Sequence, residues 1–344
     1  MFTRFRARSL MSAVVAVGLL GSTIWAADGT PTSRLATYDK PTGESFFVLS
    51  VVPNQTLPVA PAHDMVLLFD TSASQTGVYR DAAMQAAESL VASLDDLDQV
   101  QLSAVDLELV ALTPALASAH GPAMEQGMEL LRKRLPLGST DMIQGLLEAS
   151  TQFGDDQKRP RHIVYVGDGI SRANLMETKE FRQLIDVLVD RRISVSSYAV
   201  GPQCDIAMLT ALANQTGGQV YIGDENSSAQ EAGVALAQAV KRPVVWPVSQ
   251  AMPAALSQMQ PLQMPPLRTD RESIVFGQLA KRGQYDVAVH GSVNGQPVDL
   301  KWQLNAEASN PDFSFVPRLL EIAQRDNGLS LPTAGMTALN ETRR

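Results

Sequence analysis

Short apolar runs alternate with segments of helical periodicity through the middle of the chain, and this alternation constrains the fold more than any other feature of the sequence. The runs at 64–70 and 162–166 are nearly continuous in apolar residues, as expected of strands buried on both faces. Strands that alternate with helices indicate a parallel sheet covered on both sides. We therefore predict a doubly wound α/β domain with a mainly parallel sheet over residues 63–242. Its further strands are predicted at 100–105, 109–112, 193–200 and 219–222, and its helices at 80–94, 122–135, 141–153, 177–190, 206–215 and 229–241.

The N-terminal residues 1–26 resemble a signal peptide. Arg4, Arg6 and Arg8 precede an apolar run that continues to Trp25, and small residues follow at a plausible cleavage site after Ala26. A retained anchor helix is the alternative, although the run is shorter than the roughly 20 residues that a spanning helix needs. We expect an exported protein of the periplasm, cell envelope or extracellular space, with no membrane span after cleavage.

The remaining segments differ from the central domain in composition. Residues 27–62 form an irregular N-terminal segment with one strand at 45–52, and 243–272 form a linker rich in proline and methionine. Alternating apolar residues over 273–326 predict a small β-rich module with a following helix, and 327–344 form a tail. Since three short strands are barely stable alone, one interpretation places the strand at 45–52 among them, with the α/β domain inserted into the module.

Composition excludes several functions. A formal net charge of -8 disfavours binding to nucleic acid, which requires a basic face. One cysteine cannot form an internal disulfide or a CxxC zinc site, and four dispersed histidines make a multi-histidine metal site improbable.

Polar side chains follow the ends of predicted strands or begin a helix at three places. Asp70, Ser72 and Ser74 come directly after the first buried strand, Thr140 precedes a helix, and Asp168 follows the strand at 162–166. Ligands bind at the carboxyl ends of strands in such sheets, and these oxygen donors suit Mg²⁺ or Mn²⁺ better than zinc or copper. Each residue also has a structural explanation, as a turn residue or a helix cap. Taken together, the five residues predict a metal site.

The Asp-x-Ser-x-Ser sequence at 70–74, with Thr140 and Asp168, resembles the metal-ion-dependent adhesion site (MIDAS) of von Willebrand factor type A (VWA) domains. The resemblance covers 63–242 and implies a Rossmann-like sheet with one short antiparallel edge strand. It further implies Mg²⁺ (or Mn²⁺ or Ca²⁺) bound directly by Ser72, Ser74 and Thr140, and largely through water by Asp70 and Asp168. The resemblance also implies that the bound ion recognises a partner protein presenting an Asp or Glu carboxylate.

Enzymatic alternatives find little support in the sequence. Haloacid-dehalogenase phosphatases need an aspartate where Ser72 stands, and the chain contains neither a G-x-S-x-G elbow nor a Gly-Lys phosphate loop. A reactive Cys204 at a helix N-terminus is less expected than an inert one. We therefore expect a non-enzymatic protein of adhesion or complex assembly. The alternative is a structural or regulatory subunit in which the metal only stabilises the domain.

Overall fold

The computed structural model describes residues 33–154, 159–173, 177–223, 228–325 and 328–329. The predicted signal peptide and nearly all of the predicted tail lie outside these ranges.

The central α/β domain is built on a seven-stranded sheet. Its strands are β3 Asp64–Asp70, β4 Gln99–Val105, β5 Leu109–Ala111, β6 Ala117–Ser118, β7 Arg161–Gly167, β8 Ile193–Ala199 and β9 Val220–Ile222. The strand order is β5-β4-β3-β7-β8-β9, with β6 beside β4, and β4, β3, β7, β8 and β9 run parallel. The short strands β5 and β6 pair antiparallel with β4, so the sheet is mixed and the predicted mainly parallel sheet is not confirmed.

Helices cover both faces of this sheet because successive strand residues point to opposite sides. The helices are α1 Val78–Ala92, α2 Pro122–Lys133, α3 Met142–Thr151, α4 Thr178–Asp190, α5 Ile206–Thr216 and α6 Ala229–Lys241. On one face of the sheet, Leu67 and Phe69 pack with α1, α2 and α6. On the other face, Val66 and Leu68 pack with α3, α4 and α5. These four strand residues are fully buried, and each such side chain contributes about 1.5–3 kcal/mol of burial free energy.

A second, eight-stranded sheet is assembled from residues on both sides of the α/β domain. Its strands are β1 Arg34–Asp39, β2 Ser45–Val51, β10 Val244–Ala251, β11 Leu256–Gln260, β12 Leu267–Arg268, β13 Ser273–Leu279, β14 Gln284–Val293 and β15 Gln296–Ser309, and the helix α7 Val316–Ala323 follows them. The strand order is β11-β13-β2-β1-β15-β14-β10-β12. The hairpin β1–β2 precedes the α/β domain in the chain. It pairs on one side with β13 and on the other, in parallel, with β15. The strand predicted at 45–52 therefore does join the C-terminal strands.

The segment 243–272, which we predicted to be an extended linker, contains the strands β10, β11 and β12. The prediction of a linker was therefore wrong. Proline is tolerated because it lies at irregular positions. Pro247 stands where the pairing of β10 with β14 shifts register, and Pro253 lies between β10 and β11. The module is accordingly larger than the three strands expected from sequence.

Arg268 connects the second sheet to the α/β domain. Its side chain is fully buried and donates hydrogen bonds to the carbonyl oxygens of Gly217 (3.1 Å) and Ala239 (3.4 Å) at the ends of α5 and α6. It also forms an ion pair of 2.7 Å with Asp270. A buried charge at this position requires each of these acceptors, so it fixes the contact between β12 and the two helices.

Candidate metal centre

Adjacent parallel strands bring the two predicted aspartates to one edge of the sheet. Asp70 is the last residue of β3, and Asp168 directly follows β7, which pairs with β3. Thr140 lies just before α3 in the loop that leads from α2. The three polar segments singled out in the sequence thus meet at the carboxyl end of the sheet.

The Asp70 carboxylate is the centre of a hydrogen-bond cluster. Its Oδ1 accepts from the backbone N–H of Ser72 (2.8 Å) and from the Thr140 hydroxyl (3.0 Å). The hydroxyl oxygens of Ser72 and Ser74 are 3.0 Å apart and hydrogen-bonded to each other. Asp168 makes no hydrogen bond to this cluster, and its Oδ1 accepts from the N–H of Ile170 (2.9 Å). Four of the five predicted residues are therefore connected to one another, and Asp168 lies beside them at the end of the neighbouring strand.

The helix-cap explanation does not apply to the three hydroxyl residues. The N-cap of α1 is Gly77 and that of α3 is Asp141, whose side chain accepts from the N–H of Gln144 at 3.0 Å. Thr140 is consequently free to donate to Asp70. The turn explanation does apply to both aspartates, since each accepts a hydrogen bond from the N–H two residues further along the chain.

Backbone hydrogen bonds hold the loops of the site together. The N–H of Ala73 donates to Gly138 O at 3.1 Å, and the N–H of Leu137 donates to Thr71 O at 2.9 Å. On the other side of the site, the N–H of Ala173 donates to Thr140 O at 3.2 Å. The hydroxyl groups are therefore positioned by a connected framework rather than by one loop alone.

The site concentrates buried negative charge. Asp70 is fully buried and Asp168 is 2% exposed, and neither forms an ion pair within the described part of the chain. Burial raises the pKa of Asp70 above its ordinary value, and the charge of Asp168 raises it further, against the hydrogen bonds from Ser72 and Tyr165. Two buried carboxylates without a cation, surrounded by hydroxyl oxygens, are a donor set that fits Mg²⁺ or a similarly hard ion.

The described residues contain no group of three or more His, Cys, Asp or Glu side chains able to hold a metal ion. Ion binding at the Asp70 cluster would therefore depend on the hydroxyl groups of Ser72, Ser74 and Thr140. These are neutral ligands, so a bound divalent ion would keep much of its charge for a further anionic ligand.

Tyr165 belongs to the site although sequence reasoning missed it. Its hydroxyl donates to Oδ2 of Asp70 (2.8 Å) and accepts from the N–H of Gly169 (3.0 Å). Burial and the two nearby carboxylates raise its pKa well above the ordinary value, so it remains a donor. The available signal was a tyrosine inside an apolar strand, because a buried hydroxyl requires a partner. A Cβ at Gly167 would lie 2.4 Å from both Asp70 Cβ and the Tyr165 hydroxyl, so this position accommodates only glycine.

Cys204 near the site is not activated. Burial, with a contribution from the charge of Asp168, raises the pKa of its thiol to about 11, so the protonated form predominates at neutral pH. Its thiol faces Gly201 O at 3.9 Å. The interpretation as an inert cysteine fits this environment.

The family comparison agrees with the fold of the α/β domain. Residues 63–222 match the family model of the von Willebrand factor type A domain, so this part of the chain is similar to that family. VWA domains are a general fold for protein interaction and adhesion. No curated protein sequence matches the chain.

Solved structures show the same fold at low sequence identity. A von Willebrand factor type A protein from Catenulispora acidiphila aligns over 88% of this chain and 82% of its own, with a TM-score of 0.56 and 13% identity. The ArnB paralog VWA2 from Sulfolobus acidocaldarius aligns over 92% of this chain and 91% of its own, with a TM-score of 0.53 and 13% identity. Human COPII-coat protein Sec24c aligns over 85% of this chain and 51% of its own, with a TM-score of 0.50 and 12% identity. These similarities support the fold alone.

Proposed function

We propose that this VWA domain binds a divalent cation through Ser72, Ser74 and Thr140, with Asp70 and Asp168 contributing negative charge. The observation that carries the proposal is the pair of buried carboxylates, without an ion pair among the described residues, beside three clustered hydroxyl groups. Oxygen donors of this kind favour Mg²⁺, with Mn²⁺ and Ca²⁺ as alternatives.

The ligand we propose for this ion is an Asp or Glu carboxylate of a partner protein. Neutral hydroxyl ligands leave the ion electron-poor, which favours an anionic ligand from outside. Leu137 and Leu135, on the loop tied to Thr71, are 65% and 72% exposed, and Val78 at the start of α1 is 74% exposed. Exposed apolar side chains beside a charged site are typical of a protein-binding surface. The role is adhesion or complex assembly, with no catalysis.

We propose export on the basis of the sequence at 1–26, a basic segment followed by an apolar run. Among the described residues, the longest apolar helices fall short of what crossing a membrane requires. A periplasmic, cell-envelope or extracellular location would place the metal site where a partner protein on the same or another cell can reach it.

Metal-dependent thermal unfolding tests the site. The parent is compared with Asp70→Asn in EDTA and in millimolar Mg²⁺, Mn²⁺ or Ca²⁺. Asparagine keeps the Oδ1 acceptor for Ser72 and Thr140 and removes the charge, while its NH2 group replaces the oxygen that accepts from Tyr165. Each variant is therefore compared with itself in EDTA. At a metal concentration about 100-fold above the dissociation constant, we expect the parent to gain about 2.7 kcal/mol of unfolding free energy. Asp205→Asn is the matched control, because Asp205 caps α5, where asparagine also caps, and it should retain the full gain.

Absence of a metal-induced gain in the parent, or an undiminished gain in Asp70→Asn, contradicts the proposed site. The partner chemistry is tested separately by selecting displayed random peptides on the immobilised protein in Mg²⁺ and in EDTA. Enrichment of peptides with Asp or Glu in Mg²⁺ alone supports carboxylate capture. A stabilising metal without such enrichment supports the second candidate, a structural or regulatory subunit whose metal only stabilises the domain.

A further inference from the structure

A pocket lies at the opposite end of the α/β sheet from the candidate metal centre. It is formed where β7 and β8 begin, close to the end of α6, and it includes Val244 and Trp246 of β10 and the turn Asn294–Gly295 between β14 and β15. Both sheets therefore contribute to its walls.

The charge of this pocket is opposite to that of the whole chain. The chain carries a formal net charge of -8, whereas none of the described residues that line the pocket is acidic. Its lining contains six cationic residues, Arg159, Arg161, Arg191, Arg192, Lys241 and Arg242. Such a cluster in an acidic protein creates a local positive field that favours an anion.

Nearby acceptors neutralise only part of this charge. Arg159 pairs with Asp64 at 2.7 Å and Lys241 with Asp95 at 2.9 Å. The side chains of Arg192 and Arg242 make neither an ion pair nor a hydrogen bond to any residue that the structure describes. At least two cations thus remain available to a ligand in the pocket.

A buried histidine supplies an independent indication of a ligand. His162 lines the pocket, is 3% exposed, and its Nε2 has no hydrogen-bond partner among the described residues. Burial lowers its pKa well below the ordinary value, and the charges of His63 and Arg268 add to this effect, so the ring is neutral. A neutral imidazole carries one N–H donor and one acceptor nitrogen, and leaving a buried ring nitrogen without a hydrogen-bond partner is unfavourable.

We propose that this pocket binds a multivalent oxyanion, with a phosphate group as the ligand class. Arginine side chains present paired N–H donors that match phosphate oxygens, and several cations together favour more than one negative charge. The alternative explanation is that the cations only offset the partial negative charges at the C-terminal ends of α4 and α6. That explanation accounts for Arg191 and Arg242, the C-caps of α4 and α6, and for Lys241 in the last turn of α6. It does not account for the unpartnered Nε2 of His162.

Titration calorimetry in metal-free buffer tests this pocket independently of the candidate metal centre. Inorganic phosphate and pyrophosphate are the probes, and sulfate distinguishes phosphate selectivity from general oxyanion binding. The test variant is Arg192→Asn with Arg242→Gln, since asparagine tolerates the positive φ of 54° at residue 192. The control, Arg132→Gln with Arg318→Gln, removes two exposed cations elsewhere.

We expect the parent and the control to bind pyrophosphate with equal affinity, and the test variant to bind it at least about tenfold more weakly. Equal loss in the control and the test variant would indicate a general charge effect and overturn the proposal. The absence of binding heat with millimolar phosphate, pyrophosphate and sulfate would overturn it as well. A lower unfolding temperature of the test variant, with unchanged affinity, would favour the helix-end explanation.

Discussion

Replacing Tyr165 with phenylalanine tests whether the tyrosine holds the candidate metal centre together. The change removes one hydroxyl and leaves the ring volume almost unchanged. Two hydrogen bonds disappear, the 2.8 Å bond to Asp70 Oδ2 and the 3.0 Å bond from the Gly169 N–H. The bond to the carboxylate contributes about 1.5–3 kcal/mol, and the orphaned N–H costs about 1 kcal/mol more. We expect the free energy of unfolding to fall by about 2.5–4 kcal/mol.

The assay is urea unfolding followed by circular dichroism in EDTA, at several pH values. Burial places the pKa of Asp70 in the folded protein above its ordinary value of 3.8, and loss of the Tyr165 bond raises it further. The ionised carboxylate is the form that needs this donor. The deficit of the variant should therefore grow as the pH rises through the folded pKa of Asp70, and shrink below it.

Tyr38→Phe is the matched control, because Tyr38 is half-buried and its hydroxyl has no partner among the described residues. We expect a change within about 0.5 kcal/mol. A loss below about 1 kcal/mol for Tyr165→Phe, or one independent of pH, would refute the reasoning.

Two further predictions concern buried charges away from the site. Asp270→Ala leaves the fully buried Arg268 without its ion-pair partner, so we expect a loss of about 3–5 kcal/mol in urea unfolding. Asp98 is buried, which raises its pKa, but hydrogen bonds from the N–H of Asp95 and from His63 outweigh burial and hold the pKa below 3.8. Asp98→Asn should lose about 1.5–3 kcal/mol at pH 7, and the difference from the parent should disappear as the pH falls through the folded pKa of Asp98.

The exposed pair Arg318–Glu321 provides the control for Asp270, since Glu321→Ala should cost no more than about 1 kcal/mol. Equal losses for the two variants would contradict the role assigned to Arg268. For Asp98, a difference from the parent that stays constant down to pH 2 would contradict the proposed titration, because a protonated carboxyl no longer accepts charge-assisted bonds.

The sequence predicted the α/β domain well because its signals are local. The helix at 229–241 was predicted at its observed bounds, since apolar spacing defines it and Ser228 caps it. The parallel pairing of β1 with β15 was not predictable, because it joins residues such as Leu35 and Ala306 that are far apart in the chain. The strands β10, β11 and β12 were missed because the prolines of this segment suggested a linker, whereas Pro247 occupies a register shift.

The candidate site could be predicted only in part. The motif named all five residues. The structure connects four of them in one hydrogen-bonded cluster and places Asp168 at the adjacent strand end. The contribution of Tyr165 was not visible, because which strand residue faces a loop depends on the register of β3 with β7. Metal binding remains a prediction that the proposed measurements test.

The insertion of the α/β domain into the second sheet also sets an order of events during synthesis. The hairpin β1–β2 emerges from the ribosome first, but its neighbours β13 and β15 follow only after the whole inserted domain. At about 5–20 residues per second, this delay is on the order of 10–40 s. Phe46 and Phe47, which are buried in the finished sheet, lack their final contacts throughout that interval. The hairpin therefore waits in the nascent chain with exposed strand edges and two exposed phenylalanines until the C-terminal strands are made.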